Sequence, residues 1–207
     1  MPKRGTLTVL AEGAANNDLA IATDGRIYFT ETEQQLVRVI DPRKGKRVVF
    51  DGTWGGNLLM PNGVRLSPDE SGLIVADTLS RFSWAFRFLP DGLLTAGEPF
   101  YRLELPDDVS QGPLRSGADG LTVGDKGYAY FATKLGVQIC DQTGRVVDII
   151  RRPGSSDISN PLFGGPDLQT LRYVNRHRLP TPLAQERNSA LRAGYGDETL
   201  AVSWHLN

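Results

Sequence analysis

One hairpin grammar recurs four times along this chain, and that repetition limits its fold more than any other feature. The segments are "NNDLAIATDGRIYFTET" from Asn16, "PNGVRLSPDESGLIVADT" from Pro61, "GADGLTVGDKGYAYFATK" from Gly117 and "SNPLFGGPDLQTLRYVN" from Ser159. In each, a small polar side chain (Asn17, Asn62, Asp119, Asn160) precedes an apolar strand, a turn rich in Gly, Asp or Pro follows, and a second apolar strand completes the hairpin. The anchors are separated by 45, 57 and 41 residues. A period of that length with several strands per unit is the signature of propeller blades, so the expected class is all-β.

The remainder of each unit fits two further strands. "QLVRVIDPRKGKRVVFDG" and "GVQICDQTGRVVDIIRR" each hold two apolar runs, with Asp-Pro or Asp-Gln-Thr-Gly making the hairpin turn. Four strands per unit make a blade, and about four blades are expected, the last incomplete. The units fall near residues 5–52, 53–105, 106–152 and 153–174, a partial propeller over 1–174. The run "YRLELPDDVSQGPLRSG" reads as a long loop entering the third unit. Residues 175–207 read as an irregular or diverged tail that has lost two blade strands, with a short helix placed across 182–192.

In a propeller the innermost strands line a central channel, so residues that begin them converge on one axis. Asn17, Asn62, Asp119 and Asn160 would bring carboxamide and carboxylate oxygens together at one end of it. Such a ring suits Ca²⁺, which takes 6 to 8 oxygen ligands in forgiving geometry. For any single anchor, turn chemistry is the simpler explanation, since Asn-Gly and Asp-Gly are common turn formers. Recurrence of an oxygen-bearing side chain at matching positions favours the ring. Asp24, Asp69, Asp91 and Asp125 belong to outer turns and are read as turn residues. His177 and His205 lie in the tail and are read as surface residues.

Composition removes other classes. The formal net charge of −1, from 23 basic and 24 acidic residues, gives no electrostatic basis for a nucleic-acid partner. Cys140 is the only cysteine, which excludes an intrachain disulfide and a cysteine-rich zinc site, and its apolar setting predicts a buried, inert thiol. No run of 18 apolar residues and no signal-peptide pattern occurs, so no membrane partner is expected; localisation stays open, with the cytoplasm favoured. No Gly-x-Ser-x-Gly elbow is present, which sets aside a serine nucleophile. The aromatics Trp54, Phe82, Trp84, Phe86 and Phe88 read as packing between blades, with Trp54 kept as a candidate sugar contact.

On these segments, in this order over roughly residues 12–172, the chain resembles the gluconolactonase and regucalcin family of six-bladed propellers (senescence marker protein and luciferin-regenerating enzymes). The resemblance implies metal-dependent hydrolysis of sugar lactones. It implies a divalent cation at the channel mouth, Ca²⁺ ahead of Mg²⁺, Mn²⁺ or Zn²⁺, held by Asn62, Asp119 and an early-blade glutamate. Asp119 would be the catalytic carboxylate and Asn17 a substrate contact. Two positions depart from the pattern. An arginine that some members carry is Ala15 here, and Glu12 is a poor stand-in for the glutamate, whose blade would precede Met1. Two alternatives are left open: a catalytically inactive remnant or non-enzymatic binding propeller, and a strictosidine-synthase-like enzyme. Exposed blade edges would favour self-association.

Overall fold

A computed structural model describes residues 9–11, 15–50, 58–95, 97–107, 113–152, 157–175 and 199–203. Its strands form four antiparallel sheets, each built from a contiguous stretch of chain. The first holds β1 (Leu19–Ile21), β2 (Ile27–Glu31), β3 (Leu36–Asp41) and β4 (Gly45–Phe50) in sequential order. The second holds β5 (Pro61–Leu66), β6 (Gly72–Asp77), β7 (Phe82–Arg87) and β8 (Glu98–Arg102). The third holds β9 (Leu121–Val123), β10 (Ala129–Thr133), β11 (Gly136–Cys140) and β12 (Val146–Arg151). The fourth holds β13 (Ile158–Gly164), β14 (Thr170–Asn175) and β15 (Thr199–Ser203). This is a partial β-propeller whose last blade has three strands among the described residues. The stretch expected to be an irregular tail therefore supplies one of them, β15.

Each blade is a meander because its turns carry the residues that tight reversal needs. Between the first two strands of blades one and three, Gly25 and Gly127 adopt φ of 86° and 78°, the left-handed region that side chains disfavour. In blade two the equivalent place is taken by Glu70 at φ 54°. Its carboxylate reaches back to the first blade's turn, accepting the Thr23 amide at 3.1 Å and the Thr23 hydroxyl at 2.8 Å. Asp24, Asp69 and Asp91 each accept the amide two residues ahead, the turn role expected of them.

The core lies between blades. In β3 the period-2 pattern buries Val37 and Val39 against the second blade, in a cluster with Tyr28, Leu58, Val75, Trp84 and Phe86. Strand β10 is buried along its whole length because both faces are covered. Ala129 and Phe131 pack with Ile74, Tyr101, Leu103 and Cys140 of blades two and three. Tyr130 and Ala132 pack with Ile158, Leu171 and Tyr173 of blade four. Each large side chain so buried contributes roughly 1.5–3 kcal/mol. On the other face of blade one, Leu19 and Ile21, cross-strand neighbours of Phe29 and Ile27, are 44% and 62% exposed.

Candidate functional site

All four blades enter their inner strand through the same irregularity. In blade one the Asn17 amide donates to the Thr30 carbonyl at 2.9 Å, while the Thr30 amide donates to the Asp18 carbonyl at 3.1 Å. In blade three Asp119 and Gly120 share Ala132 in the same way, at 2.9 and 3.0 Å. In blade two the register steps from Pro61–Asp77 to Val64–Val75, so Asn62 and Gly63 stand opposite Ala76 alone. In blade four it steps from Ile158–Asn175 to Pro161–Tyr173, so Ser159 and Asn160 stand opposite Val174 alone. Two residues facing one is a β-bulge, a device that bends the strand and re-aims its side chains.

The bulges fix which residues are equivalent. The first positions are Asn17, Asn62, Asp119 and Ser159; the second are Asp18, Gly63, Gly120 and Asn160. The sequence alignment through Asn160 is therefore displaced by one residue, and Ser159 is the fourth anchor. The displacement arose because Ser-Asn lacks the glycine that marks the second position in blades two and three.

Neighbouring blades meet at these bulges. The Gly63 amide donates to the Asp119 carbonyl at 3.0 Å, and the Gly120 amide donates to the Ser159 carbonyl at 2.8 Å. A Cβ on Gly63 would stand 2.5 Å from the Asp119 carbonyl oxygen and 2.7 Å from the Gly120 Cα. Glycine is needed here for close approach of main chains. At Gly120 the same space is filled by the Asn160 carboxamide, whose Oδ1 is buried with no hydrogen-bond partner among the described residues. In blade one Asp18 replaces the glycine and bridges instead: it accepts the Val64 amide at 3.1 Å and pairs with Arg65 at 3.2 Å.

Asn62 is buried, and its orientation follows from hydrogen accounting. Thr78 Oγ1 lies 2.6 Å from the Ala118 carbonyl and 3.1 Å from Asn62 Nδ2. A hydroxyl has one proton, and the carbonyl can only accept it. Thr78 must therefore accept from Asn62, which commits the amide nitrogen and leaves Oδ1 on the other arm as the group available to a ligand. Thr30 Oγ1 holds the Asn62 carbonyl at 2.6 Å. Asp119 is half-buried, with its main chain bonded on both sides, to Ala132 and to Gly63. Asn17 is exposed.

Among the described residues no three His, Cys, Asp or Glu side chains are grouped to hold a metal. Asn62 and Asp119 offer a carboxamide oxygen and a carboxylate. That hard, all-oxygen pair fits an alkaline-earth ion better than zinc. Two further carboxylates, Glu31 and Asp77, end the second strands of blades one and two and are fully buried. Glu31 pairs with Arg38 at 2.7 Å. Asp77 accepts the amides of Leu59, Met60 and Leu79 at 2.8, 2.9 and 3.2 Å. Burial raises its carboxyl above the ordinary value, and those three amides oppose the shift.

Sequence reasoning passed over Ser159, Thr78 and Asp77. The parallel "TET" and "ADT" endings of the first two hairpins carried the signal for Thr78. Ala15 is exposed. Glu12, Trp54, His177, His205 and the helix placed at 182–192 lie outside the described residues.

The sequence profile of the family described as "SMP-30/Gluconolactonase/LRE-like region" matches residues 3–175. The gluconolactonase of Zymomonas mobilis subsp. mobilis (strain ATCC 31821 / ZM4 / CP4) is 27% identical over 161 residues, 72% of this chain and 44% of that protein. A gluconolactonase structure from Xanthomonas campestris superimposes with a TM-score of 0.62 at 27% identity, covering 77% of this chain and 54% of the other. Regucalcin from Agrobacterium tumefaciens, a calcium-binding protein, gives 0.60 at 20% identity, covering 80% and 55%. The chain thus spans about half the length of these relatives.

Proposed function

Because the chain belongs to the SMP-30/gluconolactonase/LRE-like family of six-bladed propellers, we propose that it hydrolyses sugar lactones at the bulges that begin its inner strands. The observation that carries this reading is the junction of Asn62–Gly63 with Asp119. One 3.0 Å main-chain bond, from the Gly63 amide to the Asp119 carbonyl, joins the two bulges that carry these anchors and supports the reading. Similarity to gluconolactonases supports the substrate class.

Asn62 Oδ1 and the Asp119 carboxylate are the groups that would hold a divalent cation, calcium first. Such an ion supplies charge that polarises a lactone carbonyl. The residues of the chain do the rest. Asp119 takes a proton from water as the water oxygen bonds to the carbonyl carbon. Collapse of the tetrahedral adduct breaks the ring C–O bond, and the proton passes to the departing alkoxide oxygen. The product is the open hydroxy acid. Asn17, the exposed first residue of the first bulge, would meet substrate hydroxyls.

The test is release of acid from glucono-1,5-lactone, corrected for spontaneous hydrolysis, with added Ca²⁺ and with chelator. The proposal expects turnover that chelator removes and that Asp119→Ala lowers at least a hundredfold. Turnover equal to the blank in every condition would overturn it, and cation binding without turnover would identify a non-enzymatic binding propeller.

A further inference from the structure

The structure assigns Thr78 as a positioning residue that presents the Asn62 side-chain oxygen, Oδ1, to the cation; the assignment rests on the lactonase reading of that site. The corresponding residue of the first blade, Thr32, shows what the position does by default. Its hydroxyl donates to the Pro61 carbonyl at 2.7 Å, as Thr78 donates to the Ala118 carbonyl at 2.6 Å. Both threonines directly follow a second strand and tie their blade to the residue just before the next blade's bulge.

Of these two, Thr78 adds a bond to an anchor side chain. The Asn62 amide donates to it at 3.1 Å, whereas no bond joins Thr32 and Asn17 among the described residues. One hydroxyl therefore links both proposed ligands: it orients Asn62 directly and holds the carbonyl next to Asp119. Without it, the Asn62 amide could rotate and offer nitrogen, which cannot bind a cation. Partners of this kind, behind a ligating group, commonly change metal affinity 10–100-fold when removed.

Calorimetric titration of the full chain with CaCl₂ alone tests this. Thr78→Val removes both hydrogen bonds at nearly constant shape and is expected to weaken Ca²⁺ binding at least tenfold. Thr78→Ser keeps the hydroxyl and is expected to stay within about twofold of the parent. Thr32→Val removes the matching blade tie, at the carbonyl just before Asn62, but leaves the Asn62 side chain its acceptor; a stability loss like that of Thr78→Val with affinity unchanged would separate side-chain positioning from main-chain support. If the parent chain binds Ca²⁺ and Thr78→Val binds it equally, the assignment is wrong and the lactonase reading survives. If the parent binds none, the cation site itself fails, and the assignment with it. Should Thr78→Val not fold, Thr78→Ser together with Thr78→Cys decides: tight binding by both, although a thiol is a poor acceptor for the amide, overturns the assignment.

Discussion

Gly63 and Asp119 belong to different blades, yet the amide of one meets the carbonyl of the other at 3.0 Å, leaving no room for a side chain on the glycine. That contact is the seam between the bulges that carry two proposed ligands, Asn62 and Asp119, which are 57 residues apart in sequence.

Gly63→Ala would put its methyl group 2.5 Å from the Asp119 carbonyl oxygen. Main chain on both sides has little freedom to yield, and overpacking of this kind costs typically 1–3 kcal/mol. We expect a loss of about 2 kcal/mol in urea unfolding and a marked drop in lactone turnover, since the seam must open. Unchanged stability would show that the blades do not press together there.

Cys140 is fully buried among Leu121, Ala129 and Phe131, and burial pushes its thiol up to about 12. The thiolate is the reactive form, so the native protein should resist Ellman's reagent at pH 8. One equivalent should react after denaturation, the chain having a single cysteine. Stoichiometric labelling of the native state within minutes would contradict the packing between blades two and three.

Asp77 supplies the pH-dependent test. Burial holds its folded-state value above the ordinary 3.8, so the folded chain keeps the proton more tightly than the unfolded one. Its favourable contribution is complete below the ordinary value and declines as pH rises through the raised one. Asp77→Asn presents an amide to the donor groups of Leu59, Met60 and Leu79 and should cost about 1–3 kcal/mol. The stability gap between parent and variant should narrow between pH 3 and pH 7; a gap that widens would reverse the sign of the shift.

The sequence by itself determined the blades. Alternating apolar residues such as Val37 and Val39, and turns carrying Gly25 or Gly127, are local signals with a local cause, and they placed the hairpins before any contact between blades was known. It also marked Asn62 and Asp119 as two of four anchors, because an oxygen-bearing side chain recurs ahead of an apolar strand, and the family resemblance implied those two as ligands. Tertiary structure decided what depends on neighbours far along the chain. Register across the fourth bulge moved the last anchor from Asn160 to Ser159, since only pairing with Val174 shows which two residues share one partner. The requirement for glycine at 63 comes from the approach of Asp119, not from its own backbone angles. The importance of Thr78 comes from a single hydroxyl that gives its one proton to the Ala118 carbonyl and so accepts from the Asn62 amide, and no spacing along a chain records that arrangement.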